Sequence, residues 1–126
     1  MGDRSVPACD WGRWGEHRVR RYLRLRGYRI LEQNYRCRYG EVDLIARRLG
    51  VVAFVEVKTR HGDGYGGALC AVTREKRERL RRVAAHYLQG RRPPRHCRFD
   101  VAALCLQPGR HRPRLDYRAG AFAGTE

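Results

Sequence analysis

Residues 40–60 read GEVDLIARRLGVVAFVEVKTR, two β-rich runs joined by Leu49-Gly50. In the first run Val42, Leu44 and Ala46 alternate with Glu41, Asp43 and Ile45, the period of a strand. The second, Val51–Thr59, is rich in β-branched residues. Side chains alternate across a strand, so Glu41 and Asp43 share one face, as do Glu56 and Lys58. A tight turn at 48–51 makes the runs an antiparallel hairpin, in which Asp43 falls opposite Glu56 and Glu41 opposite Lys58.

The flanking sequence supplies the rest of an α/β fold. Residues 11–26 carry Trp11, Trp14, Val19, Tyr22 and Leu23 along one side at helical spacing, with Gly27 as a stop. Tyr28–Tyr35 reads as a strand before the hairpin. Thr73 is an N-cap for a helix reaching about Leu88, whose Leu80, Val83, Ala84, Tyr87 and Leu88 form one stripe. Gly90 and Pro93-Pro94 end it. Strands are expected at about His96–Leu106 and Arg114–Arg118. The order α-β-β-β-α-β-β implies a mixed sheet of about five strands flanked by helices. At 126 residues the chain suits one domain, with its core at about 11–122.

Charge narrows the partners. The chain has 28 Lys+Arg against 13 Asp+Glu, a formal net charge of +15, and only Lys58 and Lys76 of the basic residues are Lys. Such an excess favours a polyanion, nucleic acid above all. The longest apolar run, Val51–Val55, is far short of the ~20 residues of a spanning helix. The N-terminus MGDRSVPACDW has no apolar signal core, so a cytoplasmic, non-membrane protein is expected. Cys9, Cys37, Cys70, Cys97 and Cys105, with no C-x-x-C pair, read as reduced thiols rather than a disulfide framework or zinc site. Gly62–Gly67 satisfies G-x-G-x-x-G, but no helix opens at its third glycine, so it reads as a loop.

The hairpin carries an acidic cluster inside this basic chain. Two carboxylates about 5 Å apart repel unless a cation lies between them. Mg²⁺ or Mn²⁺ takes such oxygen ligands and leaves positions for water and phosphate. Lys58, on the face of Glu56, is compact and shifts its pKa when desolvated, so it suits a water attacking phosphorus. On spacing alone a plainer reading also stands, with Glu41 and Lys58 as a cross-strand ion pair and Asp43 as a turn former. An acid within VVAFVEV, however, is costly unless paired or metal-bound. Glu16 borders the buried stripe of the first helix, beside a metal or an arginine. Lys76, in the first turn of the second helix, opposes the helix dipole unless a phosphate joins it. Arg60 and Arg74 are further candidates for phosphate contact.

The pieces GRWGEHRVRRYLRLRGYRILEQNYR, GEVDLIA, FVEVKTR, AVTREKRERLRRVAAHYL and RFDVAAL resemble the YraN family of small bacterial endonuclease-like proteins, over residues 12–122. The resemblance implies the fold of the PD-(D/E)xK restriction-endonuclease-like superfamily, shared with archaeal-type Holliday-junction resolvases. It further implies Asp43 and Glu56 as metal ligands, Lys58 as the Lys of E-x-K, and Glu16 as a helical acid near the metal. Glu41 would stand behind them. Val42 departs from the superfamily pattern by replacing its Pro. The implied function is metal-dependent hydrolysis of DNA, including branched DNA, which would favour a homodimer. The alternative is a nucleic-acid-binding module that keeps the fold without turnover.

Overall fold

A computed structural model describes residues 8–61, 73–106 and 113–122. Helix α1 (Ala8–Leu25) precedes strands β1 (Arg29–Cys37), β2 (Gly40–Arg48) and β3 (Val51–His61). Helix α2 (Arg74–Leu88) then leads to β4 (His96–Leu106) and β5 (Arg114–Phe122). The five strands form one sheet in the order β1-β2-β3-β4-β5, antiparallel except where β3 and β4 run parallel. This is the expected α-β-β-β-α-β-β order and mixed sheet. The last strand runs four residues beyond the expected Arg118, through Ala119-Gly120-Ala121 to Phe122.

A parallel pair needs a crossover, and α2 lies within it. Thr73 caps this helix, its hydroxyl accepting the Lys76 N–H at 3.2 Å. The helix ends at the cap residue Gln89, beside Gly90 at φ 76°. Leu80, Val83, Ala84 and Tyr87 bury its stripe against Val42, Ile45, Val52, Phe54 and Phe99. Helix α1 covers the opposite face, where Val19 and Leu23 meet Leu44, Ala46, Ala53, Val55, Ala102 and Leu104. Neighbours on β3 alternate between these clusters, so the central strand is buried on both sides. Full burial of a Val or Leu side chain contributes about 1.5–3 kcal/mol, and this core holds many.

Beneath β5 lies a buried polar knot. Asp100 is 1% exposed. It accepts from Arg98 Nε at 2.8 Å, from the Gly120 N–H at 2.9 Å and from the Tyr117 hydroxyl. Arg98 also donates to the Tyr28 hydroxyl at 2.6 Å. Every oxygen of the carboxylate is thus engaged, which offsets its desolvation. The knot holds the Gly120 region of β5 to β4 and ties both to the start of β1.

Strict alternation fails at one place in β2. Val42 and Ile45 pack on the α2 side while Leu44 packs on the α1 side. The expected shared face of Glu41, Asp43 and Ile45 is therefore not kept. Across the β1 ladder Asn34 sits between the pairs Gln33–Leu44 and Tyr35–Val42, with φ 52°. A left-handed Asn in mid-strand twists the ribbon there, opposite Asp43.

Helix α1 approaches β3 and β4 closely at Gly15. A Cβ at this position would stand 2.7 Å from Thr59 Cγ2 and 3.1 Å from Leu104 Cδ1. Thr59 is β-branched and held in the ladder, so it has little room to yield. Gly15→Ala gains about 1 kcal/mol of helix propensity. We expect overpacking to outweigh it, for a net loss of about 1–2 kcal/mol in urea unfolding.

Candidate active site

The β2–β3 ladder runs from Arg48–Val51 to Leu44–Val55 and stops there. Beyond it, Gly40–Val42 stay paired with β1, while β3 continues beside β4. The two strands fork. At the fork the Val57 N–H, instead of meeting a β2 carbonyl, donates to Asp43 Oδ2 at 2.7 Å. A cleft of about 680 Å³ opens there, lined by Asp43, Glu56, Lys58 and Lys76 together with Arg36 and Arg79.

Alternation from Phe54 places Glu56 and Lys58 on the α2 side of β3. Glu56 is only 8% exposed. Its carboxylate meets Lys76 Nζ at 3.1 Å, so the first turn of α2 closes the cleft from above. Burial, hydrogen bonding toward the Glu56 carboxyl group and the charge of Glu56 push Asp43 up to about 8, and Glu16 adds to the shift. Burial and the neighbouring Lys76 lower Lys58 below the ordinary lysine value. Lys76 is pulled down by burial, yet its contact with Lys58 and the charge of Glu56 hold it above that value.

The structure brings together Asp43, Glu56, Lys58 and Lys76. Glu41 lines the cleft mouth but pairs with Arg36 at 2.9 Å, not with Lys58 as the hairpin register implies. The fork is the reason, since it carries β2 away from β3 and toward β1. Glu16 does not line the cleft. Its carboxylate accepts from Asn34 Nδ2 at 3.0 Å, an amide partner where an arginine was the simple alternative. Arg74 is exposed and lies 3.9 Å from Glu78. Arg60 pairs with Cys105 in the β3–β4 ladder, while its side chain and the 62–72 loop lie outside the described residues. Arg36 and Arg79 escaped sequence reasoning, because nothing in an Arg-rich stretch marks the two that face a cleft. Cys37 and Cys97 are free thiols, and among the described residues no helix is long and apolar enough to cross a membrane.

Two facing carboxyl groups, one held at about 8, form a site whose deprotonation a cation would favour. Among the described residues no three His, Cys, Asp or Glu side chains are grouped as ligands. A pair of carboxylates nevertheless suits Mg²⁺ or Mn²⁺, which keep waters and take phosphate oxygens as further ligands. The residues present fit such an ion.

Residues 15–104, which include each of Glu16, Asp43, Glu56, Lys58 and Lys76, match the sequence profile described as "Uncharacterised protein family UPF0102". The chain belongs to this family. UPF0102 is the YraN family that the sequence resembles. A UPF0102 protein of Nocardia farcinica is 47% identical over 112 residues, covering 88% of this chain and 87% of the relative. One from Syntrophus aciditrophicus is 48% identical over 98 residues, 77% of each chain. One from a Synechococcus strain is 44% identical over 119 residues, 90% of this chain and 91% of its own. The likeness of UPF0102 members to this chain thus extends over most of both partners.

The raised Asp43 has a consequence for stability. A carboxyl whose folded pKa exceeds its unfolded value costs stability as pH rises from the unfolded to the folded pKa. Here that window runs from 3.8 to about 8. Asp43→Asn keeps the shape and removes the charge. In EDTA it should stabilise the protein, and by more at about pH 8 than at about pH 5, in urea titrations.

Proposed function

We propose that this UPF0102 chain is a metal-dependent nuclease that hydrolyses phosphodiester bonds of DNA. The observation that carries the reading is the carboxyl pair Asp43–Glu56 beside Lys58, in an open cleft of a chain with net charge +15. Asp43 and Glu56 would hold Mg²⁺ or Mn²⁺. The ion, when bound, supplies positive charge against the developing charge of the scissile phosphate.

The chain's own residues do the remaining work. The Val57 N–H fixes one oxygen of Asp43 at the edge of the cleft. Lys58, lowered by burial and by Lys76, gives up its proton more readily than an exposed amine, and in its neutral form it would orient the attacking water and take a proton from it. Lys76 holds Glu56 in place and offers its ammonium to a phosphate oxygen. Arg36 and Arg79 at the cleft wall draw the strand in by long-range attraction. Glu16 acts through Asn34 and through its charge on Asp43, as a positioning residue.

Labelled single-stranded, duplex, flap and four-way-junction DNA incubated with Mg²⁺, Mn²⁺ or EDTA tests the reading. We expect metal-dependent cutting, lost by at least about 10²-fold in Asp43→Asn and Lys58→Met. Binding of every substrate with no cutting of any would overturn it in favour of a nucleic-acid-binding module. Preference for the junction, together with a dimer in sedimentation, would extend the reading to branched DNA and a homodimer.

Metal binding is separately measurable. Mn²⁺ in excess over its dissociation constant should raise the melting temperature of the wild-type chain, through binding to the folded state alone. The same addition should leave the melting temperature of Asp43→Asn nearly unchanged.

A further inference from the structure

Behind the turn that joins β1 to β2 lies a second recess, of about 640 Å³. Arg38 and Tyr39 form one wall, from the turn, and Arg82, Ala85, His86 and Leu88 of α2 form the other. The same turn lines the catalytic cleft on its other side, through Arg36, Cys37, Gly40 and Glu41. It rests on α2 at Gly40, where a Cβ would stand 2.8 Å from Arg79 Cδ. The two recesses are neighbours along one helix. Lys76 marks the first, His86 the second, and ten residues of helix between them span about 15 Å.

The aromatic groups here are held in place. The Tyr35 hydroxyl and His86 Nδ1 are hydrogen-bonded at 2.8 Å. Tyr39 meets the His86 ring edge-on, with centroids 6.0 Å apart and planes at 65°. Arg38 Nη2 donates to the Tyr39 hydroxyl at 2.8 Å, and its guanidinium lies 4.9 Å from the Tyr39 ring centroid. Partly exposed Tyr39 and exposed His86 are therefore ordered without being buried in the core. Arg38 and Arg82, both exposed, bring positive charge to the rim.

Ring faces flanked by guanidinium groups fit a nucleobase and its phosphate. A duplex offers its backbone to such a surface but keeps its base faces stacked inside. An unpaired base can enter. A stacked strand advances about 3.4 Å per nucleotide, so 15 Å is about four nucleotides, and fewer in an extended strand. We infer that the Tyr39–His86 recess binds an unpaired base of a nucleic-acid strand, a few nucleotides from the bond held at Asp43 and Glu56. This rests on the nuclease reading and gives its substrate class: a strand single-stranded on one side of the scissile bond.

The test uses binding without turnover. The full chain carrying Asp43→Asn, in EDTA, is titrated by fluorescence anisotropy with oligothymidine, oligouridine and a blunt DNA duplex. Adding Tyr39→Ala should weaken single-strand binding by about five- to a hundred-fold, the range of one lost base–aromatic stack. Duplex binding should stay within about two-fold, and Tyr39→Phe should restore the single-strand affinity. His86→Ala reads the same recess from the exposed face of α2 and should also weaken single-strand binding selectively. A 2-aminopurine placed in the oligothymidine should be quenched on binding, and less so in Tyr39→Ala.

Equal loss on the single strand and the duplex would overturn the proposal, as would no loss on either. A Tyr39→Phe as weak as Tyr39→Ala would do so too, since it would place the effect in the contact of Arg38 with the hydroxyl. Selective loss alongside a failure to cut any substrate would overturn only the nuclease reading. Cutting that is indifferent to Tyr39, with single-strand binding unchanged, would overturn only the base recess.

Discussion

A single hydrogen bond, from the Val57 N–H to Asp43 Oδ2, holds the place where the sheet divides. A strand pair that separates leaves backbone groups without ladder partners, and a buried one must be satisfied or the separation is costly. The Asp43 carboxylate meets that need. The same group then stands at the mouth of the opening it permits, facing Glu56. Structural and chemical roles thus fall on one side chain, and the raised protonation of Asp43 is the mark of their conflict.

The other parts serve this fork. Gly15 lets α1 come close enough for Glu16 to reach Asn34, the left-handed residue opposite Asp43. Helix α2 lies over the other face, and its Lys76 partly compensates the two acids. Helices α1 and α2 bury β3 on its two faces and β4 pairs with its edge, so Glu56 and Lys58 project from a strand held on every side. The Asp100 knot fastens β5 on the far side, away from the cleft. A rigid centre with an opened corner is an arrangement that can position charged groups precisely enough to act on a phosphate.

Much of this was legible in the sequence because periodicity reports burial. The stripe of α2, the alternation in β3 and the caps at Thr73 and Gly90 each have a local cause, and they appear where the residues put them. The pairing of Asp43 with Glu56 followed from a two-strand register, and the YraN resemblance agreed with it. The fork itself was not legible. Opposite Asp43, where the strands part, Asn34 takes a left-handed conformation, a choice that a β-rich run does not advertise. So the partner of Glu41 was misplaced: with β2 parted from β3, its cross-strand neighbour is Arg36 on β1 and not Lys58 on β3. The role of Arg36 and Arg79 stayed hidden for another reason. With 28 basic residues in 126, composition announces a polyanion partner and masks the few arginines that face a cleft.

Among the described residues the sheet has two edges, β1 and β5, and an open edge is an invitation to add strands from another copy. Here both edges bear arginines, Arg29 and Arg36 on one, Arg114 and Arg118 on the other. Copies that met edge to edge would set like charges against each other. This protection against stacking into fibrils is electrostatic, so it has a range set by the ionic strength of the surroundings. The solubility of the chain is therefore tied to the same charge that draws a polyanion to the cleft: whatever neutralises the arginines to seat a strand also lowers the barrier between neighbouring sheets.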